Sequence, residues 1–210
     1  MRQAERIAAG SIAVGLAVLA LKLAAWLVTG SAALYSDAAE SVVNVAASGI
    51  ALLALRLAAK PADANHPYGH DKAEFFAAVI EGVLIVVAAL TILQHVWEVC
   101  SHPAPIEAPL LGIGLNAAST VLNLAWGVLL VRSGRRLRSP ALAADGRHLL
   151  GDVVTSVGVL AGLALAVATG LTWIDPLLAG LTAVYILASG SMVIGESVGG
   201  LMDAAPAAEI

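Results

Sequence analysis

The chain has 210 residues, of which 60% are hydrophobic and only 12% charged, with a net charge of −4 and a mean hydropathy of +0.90. A soluble domain of that length does not look like this, whereas a bundle of membrane-spanning helices does. The partner this composition implies is the lipid bilayer, with no nucleic acid expected. The single Cys100 excludes both an intramolecular disulfide and a thiolate metal cluster.

A helix needs about 20 mostly apolar residues to cross the hydrocarbon core. Six segments qualify in chain order: Ile7–Thr29, Ala33–Ala59, Glu74–Val99, Pro109–Ser133, Ala143–Thr169 and Ile174–Leu201. Thr-Gly-Ser, a polar Pro61–His70 loop, a Pro-rich Ser101–Pro109 loop, a basic Arg132–Pro140 loop and Gly170–Pro176 separate them. The first segment follows Arg2 and Arg6 without a small-residue cleavage site, so it is expected to be retained. The fold class expected is all-α and integral to the membrane, with six transmembrane helices.

Ten of the eleven Lys and Arg residues fall before the first segment or around the second and fourth connections. The positive-inside rule makes that side the cytoplasm and puts both termini there. Lys22 is the exception; near the outer end of the first helix, it is expected to snorkel to the surface. The expected location is the cell membrane, multi-pass, the inner membrane in a bacterium.

Two of the apolar segments carry one polar signature. Asp37-x-x-Glu40-x-x-x-Asn44-x-x-x-Ser48 lies in the second and Asp145-x-x-His148-x-x-x-Asp152-x-x-x-Ser156 in the fifth, each position displaced by 108 residues. Four-residue spacing puts side chains on one helix face, one turn apart. If the two helices pack, Glu40, Asn44, His148 and Asp152 converge as oxygen and nitrogen donors of the kind that bind divalent metals. The alternative is interhelical glue, worth about 0.6–2 kcal/mol per hydrogen bond. It suits Asn44 or His148 alone, but Glu40 and Asp152 are potential charges with no Lys or Arg expected beside them. A mobile cation, or protons, is then their natural partner. Because the second and fifth helices run in opposite directions, the displacement also fits a 3+3 inverted repeat with the site at the repeat interface. Asp37 and Asp145, one turn before each motif, read as part of an access path or as helix caps.

The second connection holds another group, Asp63, His66 and His70, in which Pro and Gly positions let a short loop fold round one cation. Its alternative is an exposed polar loop with Asp71 or Glu74 starting the third helix. Glu81, inside the third helix, reads as a second proton site, an outer ligand or a protonated carboxyl hydrogen-bonded between helices. Glu196 reads the same way, with the structural role favoured. His95, Glu98 and His102 are expected to be solvated near the outer surface. No His-Glu-x-x-His and no Gly-rich phosphate loop occurs, which speaks against an enzyme and against ATP-driven transport. A passive metal channel and a non-transporting metal-binding or assembly protein remain as alternatives.

The run His66-Pro-Tyr-Gly-His70-Asp-Lys-Ala-Glu74, with Ser36-Asp37-Ala-x-Glu40-Ser before it and His148-Leu-Leu-x-Asp152 after it, resembles the cation diffusion facilitator family over essentially the whole chain. The resemblance implies a six-helix homodimer that exports a divalent transition metal in exchange for protons, with no resident cofactor. It implies a tetrahedral transport site at Glu40, Asn44, His148 and Asp152, and a further metal at Asp63, His66 and His70. It also implies that Lys72 pairs with Asp203 across the dimer. Many members carry Asp or His followed by Asp where this chain has Glu40 and Asn44, so the site holds at most two negative charges. Zn²⁺ stands first among the cargoes, with Cd²⁺, Fe²⁺, Mn²⁺, Co²⁺ and Ni²⁺ as alternatives. In that frame residues 1–203 are the transport domain and 204–210 a remnant linker, without the family's cytoplasmic C-terminal domain. The patterns Gly158-x-x-x-Gly162 and Gly195-x-x-x-Gly199 are expected to let helices pack closely within one protomer. His148 is the expected proton carrier, since metal binding needs a neutral imidazole.

Overall fold

The computed structural model describes residues 2–67, 69–70, 72–102, 105–137 and 140–202, excluding the side chains of 2–6, 8, 9, 55, 140, 141 and 144. Six helices make up nearly all of it: α1 (Arg2–Thr29), α2 (Ala32–Ala58), α3 (Ala73–Ser101), α4 (Pro109–Leu137), α5 (Pro140–Thr169) and α6 (Ile174–Leu201). All six are long and apolar enough to cross a membrane. The protein is thus an all-α, multi-pass membrane protein, as its hydropathy predicts.

The largest departure from the expected boundaries lies between α4 and α5. Most of the expected basic loop is helix, since α4 continues to Leu137 and α5 begins at Pro140. Arg135 and Arg136 occupy the last turn of α4, where cations meet the negative end of the helix dipole. Pro140 opens α5 at the position where a missing N–H costs nothing. At the other end of the bundle, Gly30 and Gly170 close α1 and α5 with φ of 67° and 70°, a left-handed cap that residues with a Cβ rarely adopt.

Contacts fix how the helices pair. Gly112 of α4 meets Ala25 and Thr29 of α1, and Gly10 meets Trp126, so α1 and α4 are antiparallel. By the same reasoning α3 runs against α6, through Gly82, Gly190 and Gly200, and α4 runs against α5 through Gly127, Gly134 and Gly146. These glycines let the backbones approach closely, as small residues do between membrane helices. The expected Gly158 and Gly195 contacts do not occur, since both have open space around them, whereas Gly162 is tight against Leu178. Close packing is set by which face a neighbour covers, which a four-residue spacing alone does not specify.

Polarity is distributed inside out. Trp97, Leu110, Val154 and Met202 are exposed, while Lys22, Asp37, Asn116, Ser119, Ser156 and Asp175 are buried. Lipid solvates the apolar exterior, and the polar groups find their partners in the protein.

Asp175, in the first turn of α6, holds the start of α2. It accepts hydrogen bonds from Ser31 Oγ (2.5 Å) and from the backbone N–H groups of Ala32 (2.7 Å) and Ala33 (3.3 Å). The cap of α2 is therefore shared between Asp175 of another helix and Ser31, whose Oγ accepts from the Leu34 N–H at 3.1 Å, and Asp37 does not supply it. A carboxylate here faces the positive N-termini of two helices, which stabilises its charge without a cation. Asp175→Ala is expected to destabilise the fold by about 1–2 kcal/mol through the orphaned N–H groups. Thermal unfolding in detergent micelles should register the loss, and Asp175→Asn should recover part of it.

Candidate metal site

The two repeated motifs meet where α2 and α5 touch. Asn44 Nδ2 donates to Asp152 Oδ2 at 3.0 Å, and these are equivalent positions of the motif. His148, one turn before Asp152 on α5, places Nε2 4.0 Å from Asp152 Oδ1. Glu40, one turn before Asn44 on α2, faces the same cavity of about 240 Å³, together with Glu81 of α3 and Tyr185 of α6. All four expected ligands therefore line one space, and Glu81 joins them as the sequence allowed.

The four do not form a closed cage. His148 is 57% exposed, so its ring lies toward the edge of the space while Asp152 is buried. Asn44 presents its NH₂ group to Asp152, whereas only its Oδ1 can ligate a cation. The amide orientation follows from the hydrogen bond it makes. A cation between the two residues would favour the flipped amide, with Oδ1 toward the metal.

One turn further along the seam is a second polar group. Lys22 Nζ donates to Asp37 Oδ1 at 2.7 Å, with the two side chains 2% and 1% exposed. Ser156 Oγ donates to the same oxygen at 2.9 Å, and Asp37 Oδ2 has no hydrogen-bond partner among the described residues. This corrects two expectations. Lys22 does not snorkel to the surface, and a Lys is buried close to the motif after all. The pair forms because α1 and α2 are antiparallel neighbours, so residues 15 apart in sequence lie side by side. A lone Lys inside an apolar helix was the available signal, since intramembrane charges rarely lack a partner.

Asp145, the counterpart of Asp37, accepts from Ser11 Oγ at 3.1 Å, and Ser11 in turn accepts from Trp126 Nε1 at 2.9 Å. It lies within α5 and caps nothing. His95 is not freely solvated: its ring packs 4.4 Å from that of Tyr35, edge-on to Trp26, and its Nε2 is buried without a hydrogen-bond partner among the described residues. Glu98 and His102 are exposed, as expected. Glu196 faces a separate cavity with Glu74 and Phe75, away from the four ligands. Lys72 Nζ donates to the carbonyl of Leu201 at 3.1 Å, tying the start of α3 to the end of α6. Its expected partner Asp203 lies outside the described residues, as do residues 204–210 and Asp71 of the loop.

Asp63, His66 and His70 converge in the α2–α3 connection, each offering one ligand atom within 4.8 Å of the others. Asp63 Oδ1 lies 3.1 Å from His66 Nδ1 and Asp63 Oδ2 lies 3.5 Å from His70 Nε2. The backbone N–H of His66 (2.7 Å) and of Asn65 (2.9 Å) both donate to Asp63 Oδ1. These bonds, that of His66 first, hold the Asp63 carboxyl below its ordinary range, so it stays charged near neutrality. An exposed carboxylate with two imidazoles suits a divalent metal with one position left for water.

Carboxylates, an imidazole and an amide thus face one cavity lined by four of the six spans, α2, α3, α5 and α6. The chain matches the profile of the cation efflux transmembrane domain over residues 8–202 and belongs to the cation efflux family. It is 47% identical over 204 residues to an uncharacterized transporter of Synechocystis, covering 96% of this chain and 65% of that protein. It is 36% identical to the cation-efflux pump FieF of Shewanella oneidensis, covering 84% and 59% of the two chains, and 34% identical to FieF of Cronobacter sakazakii, covering 97% and 68%. The chain thus spans about two thirds of the length of these relatives.

The loop geometry has a measurable consequence. His70→Ala is expected to lower the Zn²⁺ bound at saturation by one ion per chain, read by equilibrium dialysis, while Glu74→Ala leaves it unchanged. Because the ligands bind metal only when deprotonated, the loop ion should be lost as pH falls.

Proposed function

We propose that this chain is the transport unit of an exporter that carries a divalent transition-metal ion out of the cytoplasm in exchange for protons. Zn²⁺ is the first candidate cargo, because His148 with two carboxylates and an amide oxygen matches its tetrahedral preference. The observation that carries the reading is the cavity where Glu40 and Asp152 face Asn44 and His148 while the nearest buried cation, Lys22, is bonded to Asp37. Two carboxylates at membrane depth need a counter-charge, and among the described residues no salt bridge joins either to a Lys or Arg.

The relatives' names support the direction of transport, since two of them are described as cation-efflux pumps. Lys60, Lys72, Arg135 and Arg136 gather at one end of the bundle, which the positive-inside rule assigns to the cytoplasm. Cargo reaching the cavity displaces protons and turns the Asn44 amide; protons arriving from the far side compete for the same atoms and expel the metal. A divalent ion between Glu40 and Asp152 balances the charges of those two carboxylates. The returning site stays neutral only with about two protons aboard, which sets the exchange ratio. The loop ion at Asp63, His66 and His70 is bound apart from this path. The working unit is a homodimer, with Lys72 at its contact.

The test is uptake into proteoliposomes under an imposed proton gradient, offering Zn²⁺, Cd²⁺, Fe²⁺, Mn²⁺, Co²⁺ and Ni²⁺ in turn. Gradient-dependent uptake is expected, with Asp152→Ala at background and about two protons moved per metal ion. Asn44→Asp adds a carboxylate to the site and is expected to lower KM on the order of tenfold while slowing turnover. Uptake indifferent to the gradient would instead identify a passive channel, and no flux of any ion would leave only a binding or assembly role.

A further inference from the structure

Three acidic side chains lie along the α2–α5 seam, but only two face the cavity. Asp37 precedes Glu40 by one turn on α2, and Ser156, which bonds Asp37, follows Asp152 by one turn on α5. Asp37 is thus placed as a further member of the ligand line, and it is withheld from it by the ammonium of Lys22 at 2.7 Å. We propose that Lys22 is a positioning residue that sets the charge of the transport site by occupying Asp37 as a tethered cation. This inference rests on the transport-site reading above.

Three observations carry it. Lys22 and Asp37 are almost wholly buried, so the ammonium cannot leave for water and the pairing is fixed. A buried ion pair gives little net stability over apolar groups of the same size, so packing alone does not account for charges here. Asp37 Oδ2 remains without a hydrogen bond among the described residues, so the carboxylate keeps a free lone-pair face and would ligate a cation if Lys22 were absent.

The consequence is a balance between holding cargo and letting it go. A seam with Asp37, Glu40 and Asp152 all unpaired would retain a divalent ion too tightly for rapid release. With Lys22 in place the pair is neutral, and α2 and α5 present two carboxylates, Glu40 and Asp152, to the cavity that Glu81 of α3 also lines. Removing either partner alone should therefore act in opposite directions. Lys22→Met leaves an additional negative charge beside the cavity and strengthens binding. Asp37→Asn leaves an uncompensated positive charge and weakens it. The double substitution is neutral again. Unit charges one to two helical turns from a divalent ion change its affinity on the order of tenfold in each direction.

The experiment measures Zn²⁺ binding by calorimetry and Zn²⁺ uptake by reconstituted protein, in the full chain carrying His66→Ala and His70→Ala so that the loop ion does not contribute. Relative to that background, Lys22→Met is expected to lower Kd and KM about tenfold with a lower kcat, and Asp37→Asn to raise both about tenfold. Lys22→Met/Asp37→Asn should return them to near the background values, and Lys22→Arg should leave them little changed. If Lys22→Met does not fold, Asp37→Asn compared with the double variant carries the test: adding the second change must recover affinity. Equal Kd in all folded variants, or a fall in kcat with no shift in KM, would overturn the inference and leave the transport site intact. No Zn²⁺ binding by the background protein, with none lost on Asp152→Ala, would overturn the transport-site reading itself.

Discussion

Hydrocarbon cannot solvate charge, so every ionic side chain inside the bilayer must be satisfied by protein groups, by an ion or by a proton. A single charge at the centre of a spanning helix costs about 2.5–3.5 kcal/mol on insertion scales, and this bundle buries several. They are compensated in three ways. Asp175 is held by a hydroxyl and two backbone N–H groups at a helix N-terminus. Asp37 is paired with Lys22. Among the described residues the Asp152 carboxylate is bonded only to the amide of Asn44, with an imidazole 4.0 Å away. The first two are complete within the protein. The third is not, and that incompleteness is why we propose that something mobile binds there.

The contact between Asn44 and Asp152 also bears on the repeat. Residues related by the 108-residue displacement touch one another there, as they would if a local two-fold axis passed between α2 and α5. The relation fades away from that point. Asp37 bonds Ser156, but the counterpart pair does not form: Asp145 turns to Ser11, and Ser48 bonds the carbonyl of Asn44 on its own helix. Any internal symmetry is therefore strongest at the ligands and has been lost around them. Such a loss is useful to a carrier, because one side of the seam holds a fixed cation and the other does not.

Much of this was legible in the sequence, for reasons that can be separated. The six spans followed from apolar runs, because bilayer thickness dictates helix length. Glu40, Asn44, His148 and Asp152 followed from four-residue spacing, because a helix puts such residues on one face. The loop cluster followed from two imidazoles and a carboxylate within eight positions. What escaped notice depended on tertiary neighbours. The pairing of Lys22 with Asp37 requires knowing which faces of α1 and α2 meet. The cap from Asp175 spans more than 140 residues. His95 was expected in water because it lies near a helix end, yet Trp26 and Tyr35 cover it. Small-residue spacing was the weakest guide, since Gly158 faces open space while Gly82 and Gly190 carry the close contact.

The substitution of Asn for a carboxylate at position 44 and the presence of Lys22 can be understood together. Each lowers the negative charge available to cargo by about one unit, from opposite sides of Glu40. A site with Asp at both positions and no Lys would carry up to four carboxylates, counting Asp37, and would hold a divalent ion with a net negative charge left over in a medium that cannot screen it. With Asn44 and Lys22 the charges that α2 and α5 themselves contribute are those of Glu40 and Asp152, and they match those of one divalent ion. Loaded, the seam is neutral, so moving the surrounding helices past it carries no net charge through the low-dielectric region. On this view the fixed ammonium belongs to the same device as the ligands, and charge balance, more than ligand identity, decides how firmly the ion is held.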